Sequence, residues 1–135
     1  MILKTYTRIL TTDPEATVAT LEAVHGTEPH IVFEFKPWKL VGIGDVLAVA
    51  GTEESLAPIR GSLGPWIVDD IDAARSKLLD NGASIVSDVE DVATGRMMYM
   101  KHADGNVVEY VQWLPELAEK LIFGPLRAGK LSSRI

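Results

Sequence analysis

The residue with the clearest chemical opportunity is Glu109. It stands in Val107-Val108-Glu109-Tyr110-Val111-Gln112-Trp113, a run that is apolar on both sides of an extended chain. Alternate strand residues share a face, so Glu109 would stand with Val107, Val111 and Trp113. A carboxylate in apolar surroundings resists ionisation, and the raised pKa suits a general base. The same group can orient a ligand amine, or be neutralised by an arginine as a structural pair.

Two other stretches offer it company. Folding the chain about Ala103-Asp104-Gly105-Asn106, a turn-forming set, places Met98 near Glu109 and Met100 near Val107. Near the N-terminus Tyr6, Arg8 and Leu10 share a face, and Arg8 is the cation available to Glu109. The expected site is therefore Glu109 as the catalytic group, with Tyr6, Arg8, Met98, Met100, Val107, Val111 and Trp113 as the ligand-binding wall. Such a wall fits a small apolar or aromatic molecule with a polar handle. The competing expectation for Met97 to Met100 is plain core.

Other chemistry is missing. With no cysteine there is no thiolate, either as nucleophile or as metal ligand. Gly42-Ile43-Gly44 lacks the third glycine of a phosphate loop. Gly61-Ser62-Leu63-Gly64 is no nucleophile elbow. His25, His30 and His102 lack the spacing of paired ligands and read as positional.

The elements that would position these residues form an internal repeat. Thr11-Thr12-Asp13-Pro14-Glu15-Ala16 with Val18, Leu21, Val24 and Gly26 resembles Val68-Asp69-Asp70-Ile71-Asp72-Ala73 with Leu78, Leu79 and Gly82, 57 residues later. Each reads as strand end, aspartate cap, amphipathic helix and glycine stop. Gly44-Asp45-Val46-Leu47-Ala48-Val49 parallels Gly105-Asn106-Val107-Val108-Glu109-Tyr110 at an offset of 61. The reading predicts strands near 4–11, 30–36, 40–43, 46–50, 65–69, 84–89, 96–101 and 107–113. Helices are predicted over 14–25 and 71–81, and 52–63 is a linker. The fold class is α+β: two βαβββ modules, 4–51 and 64–113, forming a curved mixed sheet around a concave pocket.

Two such modules, the Val68–Ala73 helix entry and the closing His102-Ala103-Asp104-Gly105-Asn106-Val107-Val108-Glu109-Tyr110-Val111-Gln112-Trp113 resemble the vicinal oxygen chelate superfamily. That group includes glyoxalase I, extradiol dioxygenases and bleomycin resistance proteins, and the resemblance spans about residues 4–113. It implies one metal ligand from the first and one from the last strand of each module. Carried over, Glu109 matches the last-strand position of module two. Ala48 takes that position in module one. The first-strand positions fall near Tyr6 and near Leu63 or Gly64, none of them a donor of the implied kind. One ligand of four does not hold a divalent ion. The expectation is metal-independent binding of a small molecule, as in resistance or sequestration, with no cofactor and no metal. The alternative is a lyase or isomerase using Glu109, with or without a metal.

Composition bounds the partners. The 135 residues carry a net charge of −6, which disfavours nucleic acid. No apolar run approaches a membrane span, and the first residues do not read as a signal peptide, so the expected location is cytoplasmic. Residues 1–115 form the domain and 116–135 a C-terminal helix and basic tail. Glu116–Phe123 reads as a helix stopped by Gly124-Pro125. Its Leu117, Leu121 and Ile122, with Leu126 and Leu131 beyond, need cover, and Arg127, Lys130 and Arg134 complement an acidic body. A homodimer using this tail is therefore expected.

Overall fold

The computed structural model describes residues 1–129. The single N-terminal strand expected from the sequence is two, β1 (Ile2–Thr5) and β2 (Thr7–Thr11), in different sheets and broken at Tyr6. Contacts divide the chain into two units: Tyr6–Gly64, and Met1–Thr5 together with the segment from Pro65. Both mix helix with sheet, so the fold class is α+β.

In the first unit β2 is followed by α1 (Pro14–His25), β3 (Ile31–Phe35), β4 (Trp38–Ile43) and β5 (Val46–Ala50). The sheet order is β2-β5-β4-β3, with β2 parallel to β5 and the other pairs antiparallel. Asp13 Oδ1 accepts the Ala16 N–H at 3.1 Å, Pro14 opens α1, and Gly26 ends it with φ +68°. Val18 and Leu21 pack from α1 onto Val41, Ile43 and Ala48, the core of this unit.

The expected linker is ordered instead. Thr52 and Ser55 form a reciprocal capping box on α2 (Glu53–Leu56), which runs into a 3₁₀ turn, Ala57–Ile59. Leu56 and Ile59 are buried. Apolar anchoring at two positions outweighs the glycine, proline and charge that made this stretch read as a connector.

The second unit holds the sheet β1-β6-β9-β8-β7, with β6 (Leu63–Val68) starting just before its boundary, β7 (Ser84–Val92), β8 (Gly95–Lys101) and β9 (Val107–Trp113). Its helix α3 (Ile71–Asp80) is capped by Asp70, which accepts the Ala73 N–H at 3.0 Å. Two cross-strand partners on β8 and β9 grip the start of α3. Gln112 Oε1 accepts the Ile71 N–H at 2.9 Å, and Arg96 makes a fork of bonds to Asp72 at 2.8 and 3.2 Å. Ile71, Val68, Met98, Met100, Val108 and Tyr110 form the core beneath the helix.

The chain ends in α4 (Pro115–Ala118), a π segment (Glu119–Phe123) and α5 (Gly124–Arg127). Gly124-Pro125 does not stop the helix as expected. The Gly124 N–H reaches back to the Glu119 carbonyl, and the widened turn accommodates a proline that lacks an N–H. Ile122 is buried, while Leu114, Phe123 and Leu126 are exposed. Lys130, Leu131 and Arg134, assigned to the docking tail, lie outside the described residues. Among the described residues no helix is long and apolar enough to cross a membrane.

Candidate functional site

In the second unit β9 presents two unlike faces. Val108 and Tyr110 join the core under α3, so Val107, Glu109, Val111 and Trp113 share the opposite face, as their alternation predicts. Ile67 also points away from α3, because its neighbours Trp66 and Val68 pack toward it. Lys4, paired with Ile67, shares that face and is buried.

The partners across the β8–β9 hairpin differ from those expected. Glu109 stands opposite Tyr99, Val111 opposite Met97 and Val107 opposite Lys101. Met98 and Met100 face Tyr110 and Val108 in the α3 core, so they do not line the face that carries Glu109. The connection begins at His102, whose N–H bonds the Asn106 carbonyl at 2.8 Å, and the loop is one residue longer than the four-residue turn assumed. One residue of register moves every side chain to the other side of a sheet. The strip around Glu109 therefore holds Met97, Tyr99, Lys101, Val107, Val111 and Trp113. Opposite Trp113 stands Gly95, at φ +147°, where an added Cβ would lie 2.0 Å from the Gln112 carbonyl oxygen.

The first unit also has a face turned away from its helix. Ile9, Val41 and Ala48 point toward α1, so Arg8, Leu10, Leu47, Val49 and Leu40 lie on the side away from it. The repeat pairs Ala48 with Glu109, but Ala48 faces the helix, whereas Glu109 faces away from its own. The residues on the side comparable to that of Glu109 are Leu47 and Val49. The cause is again loop length: the β4–β5 turn leaves two residues unpaired, Gly44 and Asp45.

On this face β3 and β4 build an aromatic shelf that sequence reasoning missed. Phe35 and Trp38 stack with centroids 6.2 Å apart and planes 8° off parallel, and Phe33 leans on Phe35 at 6.4 Å. The Trp38 indole N–H donates to the Ser55 carbonyl at 3.0 Å, which fixes the ring against α2. The signal was legible in Phe33-Glu34-Phe35, two aromatics on one strand face, followed by Trp38.

Tyr6 and Arg8 belong to this first unit. Tyr6 is buried, its hydroxyl 2.8 Å from His30 Nε2 and its ring stacked on the imidazole at 5.9 Å. Burial, and then the negative charge of Asp45, push its phenol pKa up. Arg8 donates to Ser62 Oγ at 2.6 Å. His30, read as positional, is thus the partner of a candidate site residue. His25 bonds the Leu21 carbonyl at 2.9 Å and covers Gly44.

Among the described residues no three His, Cys, Asp or Glu side chains gather to hold a metal ion. The donor set does not fit the centre that the superfamily resemblance implies: Glu109 is the only acidic residue of β9, and Leu47 and Val49 offer no donor.

No family model matches the sequence, and no curated protein does. Solved structures do. An uncharacterized protein from Methanosarcina mazei is 31% identical with a TM-score of 0.77, over 84% of this chain and 94% of that one. Methylmalonyl-CoA epimerase from Mycobacterium tuberculosis, a vicinal oxygen chelate protein, superposes with a TM-score of 0.65 at 18% identity, over 87% and 92% of the two chains. The chain belongs to the family of the Methanosarcina mazei protein, on the vicinal oxygen chelate fold. The Streptomyces coelicolor epimerase, in a variant complexed with 2-nitronate-propionyl-CoA, shares that fold at 18% identity and a TM-score of 0.61, over 84% and 99% of the chains. The sequence resemblance thus holds at the level of the fold.

Proposed function

We propose that the chain binds a small aromatic or apolar molecule carrying a polar handle, without a metal, in a sequestering or resistance role. The observation that carries this reading is the Phe35–Trp38 stack, a pre-oriented planar surface on the face away from α1. Such a surface contributes to binding by ring stacking, at little cost in ordering because Trp38 is already hydrogen-bonded in place. Leu40 and Val49 extend the same face as apolar neighbours of the stack, whereas Arg8, in the row of Leu47 and Gly42, stands at its far end. Titrating the protein with planar aromatic acids and reading tryptophan fluorescence tests it. At least one should saturate, and Trp38→Ala should weaken it about tenfold, as loss of an aromatic contact of this size does. Absence of any saturating ligand, or unchanged affinity in Trp38→Ala as read by dialysis, overturns the reading.

A second reading is favoured by the strip on β8 and β9, where Glu109 stands among Met97, Val107, Val111 and Trp113 with the Tyr99 phenol opposite. A carboxylate so placed can take a proton from a carbon next to a carbonyl and return it to the same or an adjacent carbon. That is isomerase chemistry, balanced without an oxidant. The epimerases on this fold make it a natural second choice. Glu109→Gln separates the two: it would abolish turnover in an isomerase and only weaken binding in a sequestering protein. We also propose that the chain works as a homodimer, with the exposed Leu114, Phe123 and Leu126 as covered surface.

A further inference from the structure

A recess of ≈ 320 Å³ opens in the second unit, on the helix side of the sheet and away from the strip that carries Glu109. It is lined by Leu78, Asn81, Ala83, His102, Ala103 and Asp104. Two elements make it: the C-terminal end of α3 and the β8–β9 loop. They are held close, since a Cβ on Gly82 would meet Ala103 Cβ at 3.3 Å.

Each polar group around the recess is fixed by a bond on one side. Asn81 gives its amide N–H to the Lys77 carbonyl at 2.7 Å, which leaves its own carbonyl oxygen to accept. Asp104 Oδ1 accepts the Asn106 N–H at 2.9 Å, and that backbone bond, then one from the Asn106 side chain, lowers its carboxyl pKa. The His102 ring is held by Tyr110, with Nε2 at 2.7 Å from the hydroxyl, and by Trp66, 5.9 Å between centroids. The floor, Leu78, Ala83 and Ala103, is apolar.

Of the residues that line the recess, the one carboxylate is Asp104. The recess sits at the C-terminal end of a ten-residue helix, where the peptide dipoles favour positive charge. Asp104 adds a full negative charge, no lysine or arginine lines the recess, and the whole chain carries −6. Two oriented oxygen acceptors, an imidazole wall and an apolar floor match a charged N–H donor on a short hydrocarbon body. We propose that this recess binds a small organic ammonium ion, with Asp104 and Asn81 accepting its N–H groups and Leu78 and Ala83 receiving its alkyl chain.

The test is an NMR titration of the full chain with n-butylammonium chloride, against sodium chloride and against butanol. The expected result is saturable shifts in the millimolar range at Asn81, Ala83, His102 and Asp104, absent with sodium chloride and much weaker with butanol. Asp104→Asn keeps an acceptor for the Asn106 N–H, so the loop is retained while the charge is lost. It should weaken n-butylammonium binding by about tenfold, the scale of one charge-assisted hydrogen bond. Shifts equal to those with sodium chloride, equal binding of butanol, or undiminished affinity in Asp104→Asn would each overturn the site.

Discussion

At the scale of single residues, Gly95 is the position that tolerates no side chain. Its φ of +147° and the Gln112 carbonyl oxygen 2.0 Å from a would-be Cβ exclude even alanine. Gly95→Ala should lower unfolding free energy by more than about 2 kcal/mol in urea titrations, through backbone strain and a displaced β9. Tyr6 makes a prediction in pH. Burial raises its folded pKa, so a neutral phenol is favoured in the native state. That contribution is complete below the ordinary tyrosine value and is lost as pH rises through the higher folded one. Stability should therefore fall above about pH 10, and Tyr6→Phe should flatten this alkaline limb. A Tyr6→Phe limb as steep as the parent's would exclude Tyr6 as its origin.

At the scale of elements, legibility followed loop length. Both long helices were readable because Asp13, Pro14, Gly26, Asp70 and Gly82 act locally, and local signals do not depend on what packs nearby. The strands were readable for the same reason, through alternation. What the sequence did not reveal was which face each strand turns to its helix, since that depends on the count of residues in a turn. The loop from His102 moved Met98 and Met100 into the core and brought Tyr99 to Glu109. The aromatic shelf is half legible: Phe33 and Phe35 alternate onto one strand face, but Trp38 joins them only through the β3–β4 pairing. Surface pairs on α3 give a further test. Asp72 and Asp88 are held below the ordinary carboxylate pKa, foremost by hydrogen bonds from Arg96 and Arg75 respectively. Their contribution is fully present above the unfolded value and disappears as pH falls through the folded ones. The urea midpoint should stay level from pH 7 to about 5 and drop below about 4. In Asp72→Asn that acid drop should be shallower.

At the scale of the molecule, the C-terminal segment carries the assembly prediction. Ile122 is buried but Leu114, Phe123 and Leu126 are open to solvent, and soluble monomers tend to cover contiguous apolar surface. Light scattering should give twice the chain mass at micromolar concentration. A chain ending at Pro115 should lose that mass if the segment forms the contact, and an equally dimeric truncation would remove it from the interface. The hold of Gln112 on Ile71 has a different kind of consequence. This amide is bonded to a side chain 41 residues away, on another element, and not to its own helix. Fraying of α3 alone would leave it protected, and a one-residue slip of β9 would expose it even with the helix intact. In deuterium exchange Ile71 is thus a single-proton gauge of whether the strand bearing Glu109 is in register.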